Sequence, residues 1–175
     1  MAVNPAYAST LYDFEGFADN TNLVNQIAGI TFSNATVFTA GLSLNEISFP
    51  PSSGVNVIAS DIDSISLAFD NPVFSVQANF TFADQILLEA FDINNVLLGS
   101  AQSLASNVLG SWENIAISRS GISLLKITGA SQFTVDDLSI TAAPEPSALL
   151  LIGAGGLLAA RLKKRPVLVN DSLKA

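Results

Sequence analysis

From Thr10 to Thr141 apolar and polar residues alternate with a period of two, in short runs separated by Gly, Asn, Asp and Pro. That period turns one side of an extended chain towards a core and the other towards water, and it does not suit a helix. The run "SISLAFD" carries Ile65, Leu67 and Phe69 on one side and Ser64, Ser66 and Ala68 on the other. In "VFSVQANFTF" the shared side is Phe74, Val76, Ala78, Phe80 and Phe82. Pro72, which cannot donate to a ladder, is expected to separate these two runs into different strands.

Other segments repeat the pattern. "TLYDFEGF" reads as a first strand and "GITFSNATVFTA" as a second, while "LSLNEISFPPSSGVNVIAS" reads mostly as loop because Pro50-Pro51 and Ser52-Ser53-Gly54 break any ladder. "ILLEAFDINNVLLGSAQSL" reads as a hairpin turning across Asp92-Ile93-Asn94-Asn95. "SWENIAIS", "GISLLKITG" and "QFTVDDLSIT" follow as three further strands. Eight or nine short strands with no amphipathic helix before residue 145 predict an all-β domain, an antiparallel sandwich or barrel spanning residues 9–142.

Composition limits the chemistry. The chain has no Cys and no His. A Ser-His-Asp triad, a thiolate nucleophile, a zinc cluster and a disulfide are therefore all out of reach. Residues 1–145 hold fourteen Asp and Glu against only Arg119 and Lys126. Such a surface repels phosphate backbones, so no nucleic-acid partner is expected. Calcium, which takes oxygen ligands, is the natural counter-ion for it. No enzyme activity is predicted. Hydrolysis of a glycoside by two carboxyl groups would need a cleft that sequence cannot reveal.

Beyond Ala142-Ala143 the alternation stops. In "APEPSALLLIGAGGLLAARLKKR", Ala148 to Ala160 are thirteen residues without a charge or a hydrogen-bonding side chain. As a helix they would reach about 20 Å, against a hydrocarbon core of about 30 Å. With Ser147, Leu162 and snorkelling Arg161 and Lys163, a short transmembrane helix over 147–162 is expected. The basic residues behind it place its C-terminal side in the cytoplasm. Pro144 and Pro146 hold Ala143-Glu145 extended, a conformation suited to capture by a processing enzyme.

This order of Pro-Glu-Pro-Ser, short apolar span and basic cluster resembles the PEP-CTERM sorting signal of Gram-negative bacteria. The resemblance implies recognition by an exosortase, a membrane protease or transpeptidase. It makes Pro144, Glu145, Pro146 and Ser147 the sorting motif, and Arg161, Lys163, Lys164 and Arg165 the membrane-retention cluster. It also implies export through an inner-membrane-anchored intermediate to the cell surface or extracellular matrix. Family members usually end soon after the basic cluster, whereas here residues 166–175, "PVLVNDSLKA", continue as a tail. At the other end, residues 1–8 contain Ala6-Tyr7-Ala8, a small-x-small pattern behind Pro5, but neither a basic n-region nor an apolar h-region. It reads either as chance or as the remnant of a signal peptide.

The body resembles the jelly-roll domains frequent in exported PEP-CTERM proteins and, more distantly, carbohydrate-binding-module jelly rolls. "YDFEGF", "EAFDINNVLLGS" and "FTVDDLSIT" carry the likeness. It implies a jelly-roll β-sandwich and, as an alternative to a purely structural role, a lectin-like module attached to exopolysaccharide. It further implies a structural Ca²⁺ between Glu15 and Asp136, with Asp13 and Asp137 as neighbours. The competing reading is that Asp13 and Asp137 face solvent while the Asp136-Asp137 pair caps a turn. Trp112, the only Trp, is the candidate for stacking on a sugar ring, although its place after Gly110-Ser111 reads first as the core edge at a strand start.

Overall fold

Two alternating runs, each twice the usual strand length, pair with one another on both sides of a central gap. In the computed structural model, which describes residues 7–60, 62, 64–108 and 111–143, β6 (Ser64–Phe82) and β9 (Glu113–Gly129) form an antiparallel ribbon from Ser64↔Thr128 to Phe80↔Glu113. Extended, the nineteen residues of β6 would reach about 60 Å. Yet Ala83-Asp84-Gln85 suffice to join the end of β6 to β7 (Ile86–Phe91), whose first residue pairs with Gly129 at the opposite end of the ribbon. Ala130-Ser131-Gln132 likewise join Gly129 to β10 (Phe133–Ala142), whose first residue pairs with Phe82. Connections that short reach only about 14 Å, so the ribbon must fold over on itself.

The fold falls at Asp70-Asn71-Pro72, which are exposed. Register shifts there separate Ala68, Val73 and Ser75. Pro72 therefore does not end the strand as the sequence suggested. It sits where the ladder already skips, so its missing N–H leaves no partner unsatisfied. "SWENIAIS" and "GISLLKITG" likewise join into one strand.

All ten strands belong to one hydrogen-bonded antiparallel sheet, which the bent ribbon turns into a two-layer β-sandwich of jelly-roll type. One layer holds β3 (Ile30–Ser33), the first half of β6, the second half of β9, β7 and β8 (Leu97–Gln102). The other holds β2 (Asn22–Leu23), β4 (Ala35–Thr39), β5 (Asn56–Ala59), β1 (Ser9–Tyr12), β10, the second half of β6 and the first half of β9. The single run expected over "GITFSNATVFTA" is two strands, because Asn34 turns the chain with φ +60°. A left-handed residue of this kind breaks a strand, and Asn tolerates it best after Gly. The first expected strand stops at Tyr12, where Phe14 takes φ +62°. The expected hairpin is present, Asp92 capping its turn by accepting from the N–H groups of Asn94 and Val96.

Between the layers lie the alternating apolar positions, among them Phe14, Ile65, Leu67, Phe80, Phe82, Ile86, Leu88, Leu125 and Phe133. Each such side chain contributes about 1.5–3 kcal/mol when fully buried. Phe74 departs from its predicted side. The register shift beside it turns it half out, where it stacks on Tyr7 with ring centroids 4.6 Å apart. A smaller cluster of Leu44, Phe49 and Val57 anchors the long β4–β5 connection.

Candidate functional site

Strand β10 changes partners along its outer edge, and the polar network is built at that change. Residues 138–141 pair with β1, residues 134–135 pair with β5, and Asp136-Asp137 fall between. There β10 bulges against β6, and Asp137 takes φ +49°. The loop Ser52-Ser53-Gly54 fills the gap. Asp136 Oδ2 accepts the N–H groups of Ser52 (2.8 Å) and Ser53 (3.0 Å) and the Ser52 hydroxyl (3.0 Å), while its Oδ1 accepts Asp137 N–H at 2.7 Å. Only 3% of Asp136 is exposed. Burial pushes its carboxyl above the usual carboxylate range, helped by the neighbouring Asp137 charge and opposed by the Ser and Asp137 donors.

Glu15 holds the other end of the same loop. Its Oε1 accepts Val55 N–H at 2.9 Å and Asn56 N–H at 2.8 Å. Gly54, between the two grips, has φ +50°, and a Cβ there would lie 2.3 Å from the Glu15 carboxyl carbon. A side chain there would have to push the Glu15 carboxylate off the loop. Asn56 is buried and fully used, donating to the carbonyls of Phe14 and Phe17 and accepting the Thr39 hydroxyl.

Glu15 and Asp136, the residues expected to share a calcium ion, are thus brought to one loop as carboxylate clamps. Both oxygens of Asp136 and Oε1 of Glu15 accept backbone N–H groups, and among the described residues no three acidic side chains gather as a metal site. Asp137, expected either beside the metal or in solvent, accepts the hydroxyls of Ser52 and Ser53, both at 2.7 Å. Asp13 accepts Glu15 N–H in a local turn.

From Asp137 the network runs onto the outward side of the sandwich. Asn79 donates to Asp137 Oδ2 and to the Ser52 hydroxyl, each at 3.1 Å, and its own Oδ1 accepts Asn114 Nδ2 at 2.8 Å. Asn79 and Asn114 are cross-strand partners, as are Gln77 and Ala116, and Ser75 and Ser118. The last pair is joined hydroxyl to hydroxyl at 2.8 Å. Trp112 stands two residues before Asn114 with half its surface exposed. It is not the core-edge residue that its position suggested, because the buried side of β9 belongs to Ile115 and Ile117.

Sequence reasoning missed Ser52, Ser53, Asn79 and Asn114. Their only signal was a loop-breaking Ser-Ser-Gly and polar residues on the solvent side of two strands. Among the described residues, recesses also lie elsewhere. One, of about 240 Å³, is polar and lined by Asn22, Asn34, Thr36, Ser60 and Ile62. Another, of about 190 Å³, lies among Tyr12, Ile30, Phe69, Val73 and Ile140.

The sorting residues Pro144, Glu145, Pro146 and Ser147, the helix expected over 147–162, the cluster Arg161, Lys163, Lys164 and Arg165, the tail 166–175 and most of the expected signal remnant 1–8 lie outside the described residues. Among the described residues no helix is long and apolar enough to cross a membrane.

The sandwich is similar to the K2 cleaved adhesin domain of Lys-gingipain, with a TM-score of 0.53 at 10% identity, covering 76% of this chain and 99% of that one. A family 29 carbohydrate-binding module from Piromyces equi overlays with a TM-score of 0.46 at 8% identity, over 79% of this chain and 92% of that one. At 10% identity the likeness to the adhesin domain concerns the fold alone. No curated protein sequence matches the chain. From the last residue of β10 onward, residues 142–165 match the PEP-CTERM protein-sorting motif.

Proposed function

We propose that this chain is an exported, non-enzymatic surface or matrix protein whose C-terminal segment is recognised at the membrane and processed by an exosortase. The observation that carries this reading is the sorting-motif match over residues 142–165. The sequence of that segment agrees with it: two Pro residues that favour an extended junction, an apolar run short for a permanent anchor, and a basic stop. The lack of His and Cys removes the usual general base and the thiolate nucleophile, which favours a binding or structural role over catalysis.

The test is the intact mass of the exported protein from producing cells with and without an active exosortase. Loss of the C-terminal segment only in the exosortase-positive cells is expected. An identical unprocessed C-terminus in both would overturn the proposal.

A second reading, attachment to an exopolysaccharide, is favoured by one observation. The single Trp is half exposed beside cross-strand rows of amide and hydroxyl side chains. Sugar recognition generally needs an aromatic plane together with polar groups that fix orientation.

A further inference from the structure

We propose that the outward side of the second half of β6 and the first half of β9 is a binding face for a neutral, hydroxyl-rich polysaccharide strand. Trp112 would be its stacking platform, and Gln77 and Asn114 its hydrogen-bonding groups. The inference rests on the attachment reading above and assigns residues and a ligand class to it.

Charge is the first reason. In a chain with fifteen acidic residues, Val73–Phe82 and Asn114–Ser118 contain no ionisable side chain. An anionic polymer finds no cation among these residues, and the flanking Glu113 and Arg119 are engaged, Glu113 accepting Leu104 N–H and Arg119 donating to the Leu98 and Ser118 carbonyls. A neutral chain loses nothing by approaching.

Hydrogen-bond direction is the second. The sequence of bonds from Asn114 to Asn79 to Asp137 is polarised, each amide donating towards the carboxylate. Asn114 Nδ2 is engaged by Asn79 Oδ1 and the Ala78 carbonyl. This leaves Asn114 Oδ1 as an outward acceptor held in a fixed orientation. Exposed Gln77 has no side-chain hydrogen bond among the described residues and offers both a donor and an acceptor. Sugar hydroxyls, which donate and accept, match that mixture. Asn114, held through Asn79 to Asp137, also loses little freedom on binding.

Shape is the third. Ser52 and Ser53, fixed to Asp136 and Asp137, border the face on its β10 side, where the Ser52 hydroxyl also accepts from Asn79. From Trp112 to the Ser75–Ser118 pair the strip runs about 20 Å along the strands, long enough for several sugar rings in line.

Affinity electrophoresis of the full chain through gels containing glucomannan, galactan, alginate or the producing cells' own exopolysaccharide tests this. Retardation by at least one neutral polymer and none by alginate is expected. Trp112→Ala should weaken it about tenfold and Gln77→Ala about three- to tenfold. Both positions are exposed, and unchanged melting curves check that each variant is folded. Retardation of both variants equal to that of the parent overturns this face while leaving the attachment reading standing. Retardation by alginate alone overturns the neutral-ligand assignment. Failure of every polymer to retard the parent chain overturns the attachment reading itself.

Discussion

Asp136 sits at 3% exposure with both carboxylate oxygens occupied by donors. Four hydrogen bonds hold its charge, yet burial dominates and raises its pKa above the ordinary value. The sign follows directly. A carboxyl that binds its proton more tightly folded than unfolded contributes stability that is fully present below the unfolded pKa of about 3.9, and this is lost as pH rises through the higher folded value. The stability of the parent chain relative to Asp136→Asn should therefore increase as pH falls from 7 towards 4. Urea unfolding at a series of pH values measures it, and a pH-independent difference would mean that burial does not govern this group. At neutral pH the variant itself should lose about 1–3 kcal/mol, because its amide would point an NH₂ group at one of the N–H donors that the carboxylate now satisfies.

Strand β6 shows how far an element can be read from its own residues. Ile65, Leu67 and Phe69 are buried as their alternation predicted, and so are Val76, Ala78, Phe80 and Phe82. What the alternation concealed is that the two runs form one strand. Pro72 looks like a terminator only if every N–H there is needed, and the register gap between Ala68 and Val73 removes the need. Two-residue β2 is too short to carry a period at all. The same strand offers a sharp contrast between its sides. Phe80→Ala should cost about 3–5 kcal/mol, whereas Gln77→Ala, three residues away on the exposed side, should change stability by less than about 0.5 kcal/mol. Chemical denaturation of the two variants checks both values, and similar losses would contradict the assigned sides.

Across the whole molecule, the layers were legible because alternation specifies which side of each strand is buried. The site was less so. Asp136 and Glu15 stood out as acids near the two ends of the domain, and both do meet one loop. Their partners could not be foreseen, since a backbone N–H carries no mark in the sequence and the approach of residues 52–56 to β10 depends on the gap between β1 and β5. The clamp predicts that millimolar calcium or EDTA leaves the melting temperature of the full chain unchanged. A rise with calcium that EDTA reverses would return Glu15 and Asp136 to the role of ligands.

The pairing of β1 with β10 has a further consequence. Ala142 N–H donates to the Ala8 carbonyl at 2.9 Å, and the described ladder ends there, with the first and last strands side by side. A peptide bond severed beyond residue 143 breaks none of these pairings. The ladder closes at the first residue of the matched segment, so scission past residue 143 would release a finished body rather than leave a frayed one.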